Sequence, residues 1–378
     1  MIAVRAHHVL VVACALALGA CRSESKPSLR AVSTVDAHAA ILRAKVPGIG
    51  FAAVTRDREV AVAGEGLADE ATKTAANGDT VFEAASIAKI VVAAAVMQLV
   101  EQGTLDLDED ASKYVGFVLR HPSSPTPISL RMLLTHRASL RDRNDELAVI
   151  AEGHPLATFV HTYVRSAAGP RAEAFLEAPP GTTMTYSNVG AALAALAVER
   201  AEGASFADVT ERRVFAPLRM KSTGWTSAPR GASFVATPFA LRDGKRVALA
   251  QASHAVYPAV DLRSSARDLA RFTRAILREG ELDGVRILSA ASVRTMLHEG
   301  ADPDQALAWQ LRTIGGRRVV GHEGEDAGAS TALYIDLAAG TGAVVLTNGD
   351  AFSSGDATRA EALGTLIDQL LTSATERR

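Results

Sequence analysis

Cysteine is nearly missing: the 378-residue chain has two, Cys14 and Cys21. So few cannot build a disulfide framework. No H-E-x-x-H or paired-cysteine spacing occurs, and the ten histidines are scattered, so no metal centre is expected. There is no glycine-rich phosphate loop to cradle a nucleotide either. Charge of one sign does not accumulate. Lys and Arg number 40 against 42 Asp and Glu, a net charge of -2, with no basic stripe, which excludes nucleic acid as the expected partner. The apolar run at residues 9–20 falls short of the about 20 residues that span a bilayer.

What is present is an ordinary globular composition, 48% apolar and 22% charged, in a chain long enough for a large core. The amino terminus has Arg5, then the apolar run, then small residues, which suits an export signal. Its end, Leu18-Gly19-Ala20-Cys21, resembles the lipobox of bacterial lipoproteins. That resemblance implies lipid on Cys21 and a membrane contact through it; the plainer alternative is a secretory signal in which Cys21 is incidental. With Cys14 inside the signal, the mature chain keeps one cysteine. The expected division is a signal at 1–20, a lipidated terminus and polar tether at 21–33, and one catalytic-sized unit at 34–378. An exported protein of the bacterial cell envelope is expected, and the oligomeric state is not legible.

Apolar periodicity predicts a helix at residues 34–45, stopping before Pro47, and a hairpin at 50–64 around Arg56-Asp57-Arg58. A second hairpin is predicted at 330–349 around Ala339-Gly340-Thr341-Gly342, followed by a helix at 357–371. The region at about 90–235 reads as mostly helical. Strands at both ends with helices between predict an α/β protein of the α+β type. Its antiparallel sheet would be assembled from both termini, covered by helices, with a helical insertion. The segment 82–103 predicts a helix without a polar face, buried against that sheet.

That helix carries Lys89, and Ser86 stands one turn before it, on the same face. Lysine is seldom buried unless paired or neutral. Burial lowers its pKa, and a neutral amine beside a hydroxyl can take its proton. The spacing alone is weak, since Ser23 and Lys26 repeat it in the tether; only Ser86 opens a long buried helix. A second element is Tyr186-Ser187-Asn188, ahead of an apolar helix beginning near Val189. Tyr186 and Asn188, two apart in an extended loop, would project to one side as a phenol and an amide. The alternative is that Asn188 caps the helix and Tyr186 packs. The third element, His322-Glu323-Gly324, precedes a strand and reads as a sheet edge able to present backbone N–H groups and a side chain. His298-Glu299-Gly300 has the same letters but ends a predicted helix.

In this order the three elements resemble the serine β-lactamase and penicillin-binding-protein superfamily, in its class C β-lactamase, DD-peptidase and esterase branch. The segments at 128–140, 214–225 and 261–272 are similar to stretches between that family's motifs. The resemblance implies the β-lactamase/transpeptidase-like fold and a cofactor-free acyl transfer on a small-molecule or peptide substrate. Ser86 would be the nucleophile, Lys89 and Tyr186 a coupled pair moving its proton, and Asn188 a partner of substrate or Lys89. The backbone N–H groups of Ser86 and of Glu325, after Gly324, would form the oxyanion hole.

The chain departs from the family where β-lactamases carry lysine-threonine-glycine. Here stand His322-Glu323-Gly324, then Glu325 and Asp326. Three acids beside the binding edge disfavour an anionic substrate group, and they are expected to raise the His322 pKa and partly restore a positive charge. Arg137-Ala138-Ser139 replaces a frequent threonine-serine-glycine, and Asp261 a frequent glycine. An esterase or D-amino-acid peptidase is therefore expected over an efficient β-lactamase. The competing readings are a non-catalytic penicillin-binding or sensor lipoprotein of the same fold, and a structural lipoprotein whose buried lysine is a satisfied core ion.

Overall fold

The computed structural model describes residues 35–143, 147, 153–298 and 303–377. The expected signal, Cys21, the tether and the Ser23–Lys26 pair lie outside the described residues. In chain order the main strands are β1 (Gly48–Thr55), β2 (Glu59–Asp69), β3 (Thr74–Ala75), β4 (Val81–Glu83), β5 (Arg263–Ser265), β6 (Gln310–Ile314), β7 (Arg317–Asp326), β8 (Ala329–Asp336) and β9 (Thr341–Thr347). Seven of them form an antiparallel sheet in the order β6-β7-β8-β9-β1-β2-β3, while β4 pairs with β5 apart from it.

Both predicted hairpins are there, and side chains close their turns. Thr55 Oγ1 accepts from Asp57 N–H at 3.2 Å and Asp336 Oδ1 from Ala339 N–H at 2.8 Å, while Gly340 takes the left-handed φ of 66°. The two termini meet where Ile49 on β1 faces Thr347 on β9. Every residue of β1 and β9 is buried, because helices cover both faces. On one face lie α1 (Ala37–Ala44), with Asp36 as its N-cap, and the carboxy-terminal α8 (Ala357–Glu376). The other helices used below are α2 (Ala88–Glu101), α3 (Asn188–Glu202), α4 (Phe206–Thr210), α5 (Tyr257–Val260), α6 (Ala266–Leu277) and α7 (Ala290–Leu297).

The placement expected of the helix without a polar face needs correction. α2 packs chiefly among α3, α5 and α7, and α6 covers that face of the sheet. Every α2 residue from Ala88 to Leu99 is buried. A helix apolar on all sides must be enclosed on all sides, which one sheet face cannot do. The 3-10 turn ahead of it, Ala85–Ile87, packs on the sheet, at β7 and β8. Ser86 sits in that turn, between sheet and helices. No helix among the described residues is long and apolar enough to cross a membrane.

Candidate active site

The turn that carries Ser86 is held in an uncommon shape. Ala85 lies at φ 47°, a left-handed conformation that costs a non-glycine residue on the order of 1 kcal/mol. Neighbouring strands hold it there. Ala84 N–H donates to Leu262 O at 2.7 Å, and Ala84 O accepts from Thr331 Oγ1 at 2.9 Å. On β7, Gly324 lies so close that a Cβ there would stand 2.4 Å from Ala84 O and 2.2 Å from Thr331 Oγ1. Glycine is required for the strand to pass this near the turn. Where the family favours glycine, Ser139 adopts the left-handed φ of 59°, and its hydroxyl bonds Ala178 O.

Lys89 is fully buried, and its Nζ has three partners: Ser86 Oγ at 2.9 Å, Asn188 Oδ1 at 2.7 Å and Ala259 O at 2.9 Å. The two carbonyl oxygens can only accept. In the neutral amine they take both hydrogens, so the lone pair is left for the Ser86 hydroxyl. Burial lowers the Lys89 pKa from 10.5 to about 7, against the opposing influence of Asp142. Tyr186 OH donates to Ser86 Oγ at 2.9 Å, and its ring lies 4.8 Å from Lys89 Nζ. Burial pushes the phenol above its usual pKa of 10.0, with Asp142 adding to the rise. The proton ambiguity of the pair is thereby narrowed: near neutral pH the phenol is protonated and the amine is the group that exchanges.

An acylation step that needs neutral Lys89 has a definite sign. Its rate should climb as pH rises through about 7 and reach a plateau above it. A pH series of single-turnover acylation measures this. A histidine limb from His136, whose pKa burial and Lys89 lower from 6.5 to about 3, is not expected.

Asn188 is the first residue of α3 and not its cap. Ser187 is the N-cap and accepts from Gly190 N–H at 3.1 Å, which frees the Asn188 amide for Lys89. Two residues unmarked by sequence reasoning aim this loop. Asp142 Oδ1 accepts from Ser187 Oγ at 2.8 Å and Oδ2 from Asn188 N–H at 2.6 Å. His136 Nδ1 accepts from Ser187 N–H at 3.2 Å, and its ring centroid lies 4.5 Å from that of Tyr186. An accepting Nδ1 fixes the neutral tautomer with hydrogen on Nε2. His136 falls within the segment 128–140 already singled out, which was the available signal.

His322 lies beside the phenol, with ring centroids 6.1 Å apart, but the charge expected on it is overturned. It is 1% exposed, and burial together with Lys89 holds its pKa well below 6.5. The acids meant to raise it point elsewhere: strand alternation puts His322 and Gly324 inward and leaves Glu323 and Glu325 exposed. The third acid, Asp326, faces His254 Nε2 at 3.5 Å, and His254 Nδ1 meets the buried Asp261 at 2.6 Å. So Asp261, where glycine is frequent, ties the α5 loop to the end of β7. Glu325 follows Gly324 opposite Ser330 on β8. No cluster fit for a metal ion occurs among the described residues.

A buried lysine, a serine beside a left-handed residue and a phenol bridging to it, set between an antiparallel sheet and a helical region, form an arrangement able to activate a hydroxyl as a nucleophile. A family model described as Beta-lactamase matches residues 32–366, and the chain belongs to that family. Among curated relatives it is 28% identical to penicillin-binding protein 4 of Amycolatopsis lactamdurans over 82% of each chain. It is 32% identical to esterase EstB of Burkholderia gladioli over 43% of each, and 32% identical to the D-alanyl-D-alanine-carboxypeptidase/endopeptidase AmpH of Escherichia coli over 40% of this chain and 38% of that one. Among solved structures, D-amino acid amidase from Ochrobactrum anthropi superposes with a TM-score of 0.70 at 22% identity, covering 92% of this chain and 98% of that one. The first of these is named for penicillin binding, and the others as an esterase, a carboxypeptidase/endopeptidase and an amidase.

Proposed function

We propose that this protein is a serine hydrolase of the bacterial cell envelope that cleaves ester or amide bonds through an acyl-enzyme on Ser86. The observation that carries the reading is the threefold bonding of Lys89 Nζ, which leaves the amine lone pair to Ser86 Oγ. Lys89 takes the hydroxyl proton as Ser86 attacks the carbonyl. Tyr186, poised as a donor at 2.9 Å, delivers a proton to the leaving group and afterwards serves the hydrolytic water together with Lys89. The backbone N–H groups of Ser86 and Glu325 receive the developing oxyanion, each worth about 3 kcal/mol. Asn188 holds Lys89, and His322 and Gly324 form the edge along which substrate lies.

The neutrality of His322 favours the esterase or D-amino-acid peptidase over an efficient β-lactamase. It offers no cation to a substrate carboxylate. A lipid on Cys21 would hold the enzyme at a membrane.

Labelling with a fluorophosphonate and with a fluorescent penicillin tests the nucleophile. Wild type should label and Ser86→Ala should not; persistent labelling of the variant sinks the assignment. Turnover of p-nitrophenyl esters should then exceed that of nitrocefin. Rapid nitrocefin hydrolysis, well above ester turnover, would reverse the substrate preference, and labelling without turnover would favour the sensor lipoprotein.

A further inference from the structure

The strand that leads into the Ser86 turn and the strand that passes beside it each end on an acid. Glu83 is the last residue of β4, shortly before Ser86, and Asp326 is the last residue of β7, directly after Glu325. Strand alternation turns Asp326 to the inward side with His322 and Gly324. Glu83 is buried, and its carboxyl lies within hydrogen-bonding reach of that of Asp326. Neither acid belongs to the arrangement around Lys89.

The charged groups facing this pair are Arg263 on β5, His254 on the loop before α5, and Asp261 just after α5. The Arg263 guanidinium stands 3.6 Å from Glu83 Oε2, but its hydrogens go elsewhere. They are given to Ala252 O at 2.6 Å, Asp261 O at 3.0 Å and Gln251 Oε1 at 3.3 Å. On the far side His254 Nε2 lies 3.5 Å from Asp326 Oδ2, while Asp326 Oδ1 accepts from Ala327 N–H at 2.7 Å. Burial opposes charge on His254, yet Asp261 and Asp326 raise its pKa above 6.5. Glu83 Oε1 is buried and receives no donor from the described residues. An ionised carboxylate so placed is strongly unfavourable. A proton on Glu83 removes the charge and turns a contact between two acceptors into an O–H···O bond given to Asp326. Burial first, and Asp326 next, accordingly raise the Glu83 pKa well above 4.5, against the influence of Arg263.

We propose that Glu83 and Asp326 share a proton, and that this bond makes Glu83 a positioning residue that clamps the Ser86 turn to the end of β7. The clamp sets the spacing of the Ser86 and Glu325 N–H groups, so the inference rests on the hydrolase reading of Ser86. Glu325 is bracketed by it. Gly324 before it passes against Ala84, and Asp326 after it bonds Glu83, which leaves the intervening N–H little freedom to turn away.

The test has an infrared arm and a kinetic arm. Near neutral pH, the difference spectrum between wild type and Glu83→Gln should contain the carbonyl stretch of a protonated carboxyl, shifted in deuterium oxide. Its absence overturns the shared proton. In p-nitrophenyl ester turnover, Glu83→Met keeps the volume without a donor and should lose about tenfold in kcat with KM little changed. Glu83→Gln keeps a donor for Asp326 and should stay within about twofold of wild type, a separation that packing alone would not produce. Asp326→Ala, at a half-buried position, should lose as much as Glu83→Met, and it carries the kinetic arm if the methionine variant does not fold. The double variant should lose no more than either single one. Full activity in Glu83→Met, equal losses in the Gln and Met variants, or additive losses in the double variant overturn the clamp, and labelling at Ser86 then leaves the hydrolase reading standing. Absence of both fluorophosphonate labelling and turnover in wild type overturns the hydrolase reading and the clamp with it, while the infrared band still decides the shared proton.

Discussion

Lys89→Met should lose about a thousandfold in acylation of Ser86 while changing stability in a pH-dependent way. Methionine fills much the same volume and brings no amine. The loss of activity tests the base. The stability change tests its burial, and its sign can be worked out. In wild type the folded pKa of about 7 lies below the 10.5 of an unperturbed lysine, so the unfolded chain binds the extra proton between those values. Stability of wild type therefore rises with pH across that window, and it carries the full burial cost below it. The variant has no such group. Its stability relative to wild type should fall by about 4 kcal/mol between about pH 6 and about pH 10, at about 1.4 kcal/mol per pKa unit. The partners left behind, Asn188 Oδ1 and Ala259 O, lose a donor at every pH and shift the curve without tilting it. Denaturant melts at a series of pH values measure the tilt. A pH-independent difference would mean that the amine is hydrated in the folded chain.

The second large effect is expected at Gly324→Ala. The added methyl would lie 2.4 Å from Ala84 O and 2.2 Å from Thr331 Oγ1, and the first of these is backbone in the turn that carries Ser86. Neither strand nor turn can yield without separating the N–H groups of Ser86 and Glu325. The result should be a fall of about 10²–10³-fold in kcat with little change in KM, the pattern of a misplaced oxyanion donor. Melting temperature should drop as well, since the contact between β7 and the turn is part of the core. Steady-state kinetics on an ester substrate, with a thermal melt of the same sample, decide it. An unchanged kcat would remove β7 from the reaction.

The parts of this site that the sequence discloses are the short-range ones. Ser86 and Lys89 are one helical turn apart, and their relation survives any error about what surrounds them. Tyr186 and Asn188 were legible through their order and resemblance. The residues that aim them were not: His136 and Asp142 act across 51 and 46 residues of chain, a separation that no local pattern reports. The charge state of His322 is not legible for a related reason. Neighbours in sequence are not neighbours in space here, because a strand sends Glu323 and Glu325 to the face opposite His322. The surroundings of α2 were likewise beyond reach. Hydrophobicity on every side says that a helix is enclosed and says nothing of which elements enclose it. The hairpins and terminal helices, fixed by turn residues and periodicity, could be placed to within a few residues.

The pairing of β1 with β9 has a consequence for how the chain acquires its shape. Ile49 waits for Thr347, which a ribosome adds 298 residues later (347 − 49). Until then the leading hairpin keeps one raw edge, a template for pairing with other chains. Such long-range closure makes folding slow and couples it to completion of synthesis. Premature termination anywhere before the last strand should therefore yield insoluble product, not a partly active fragment.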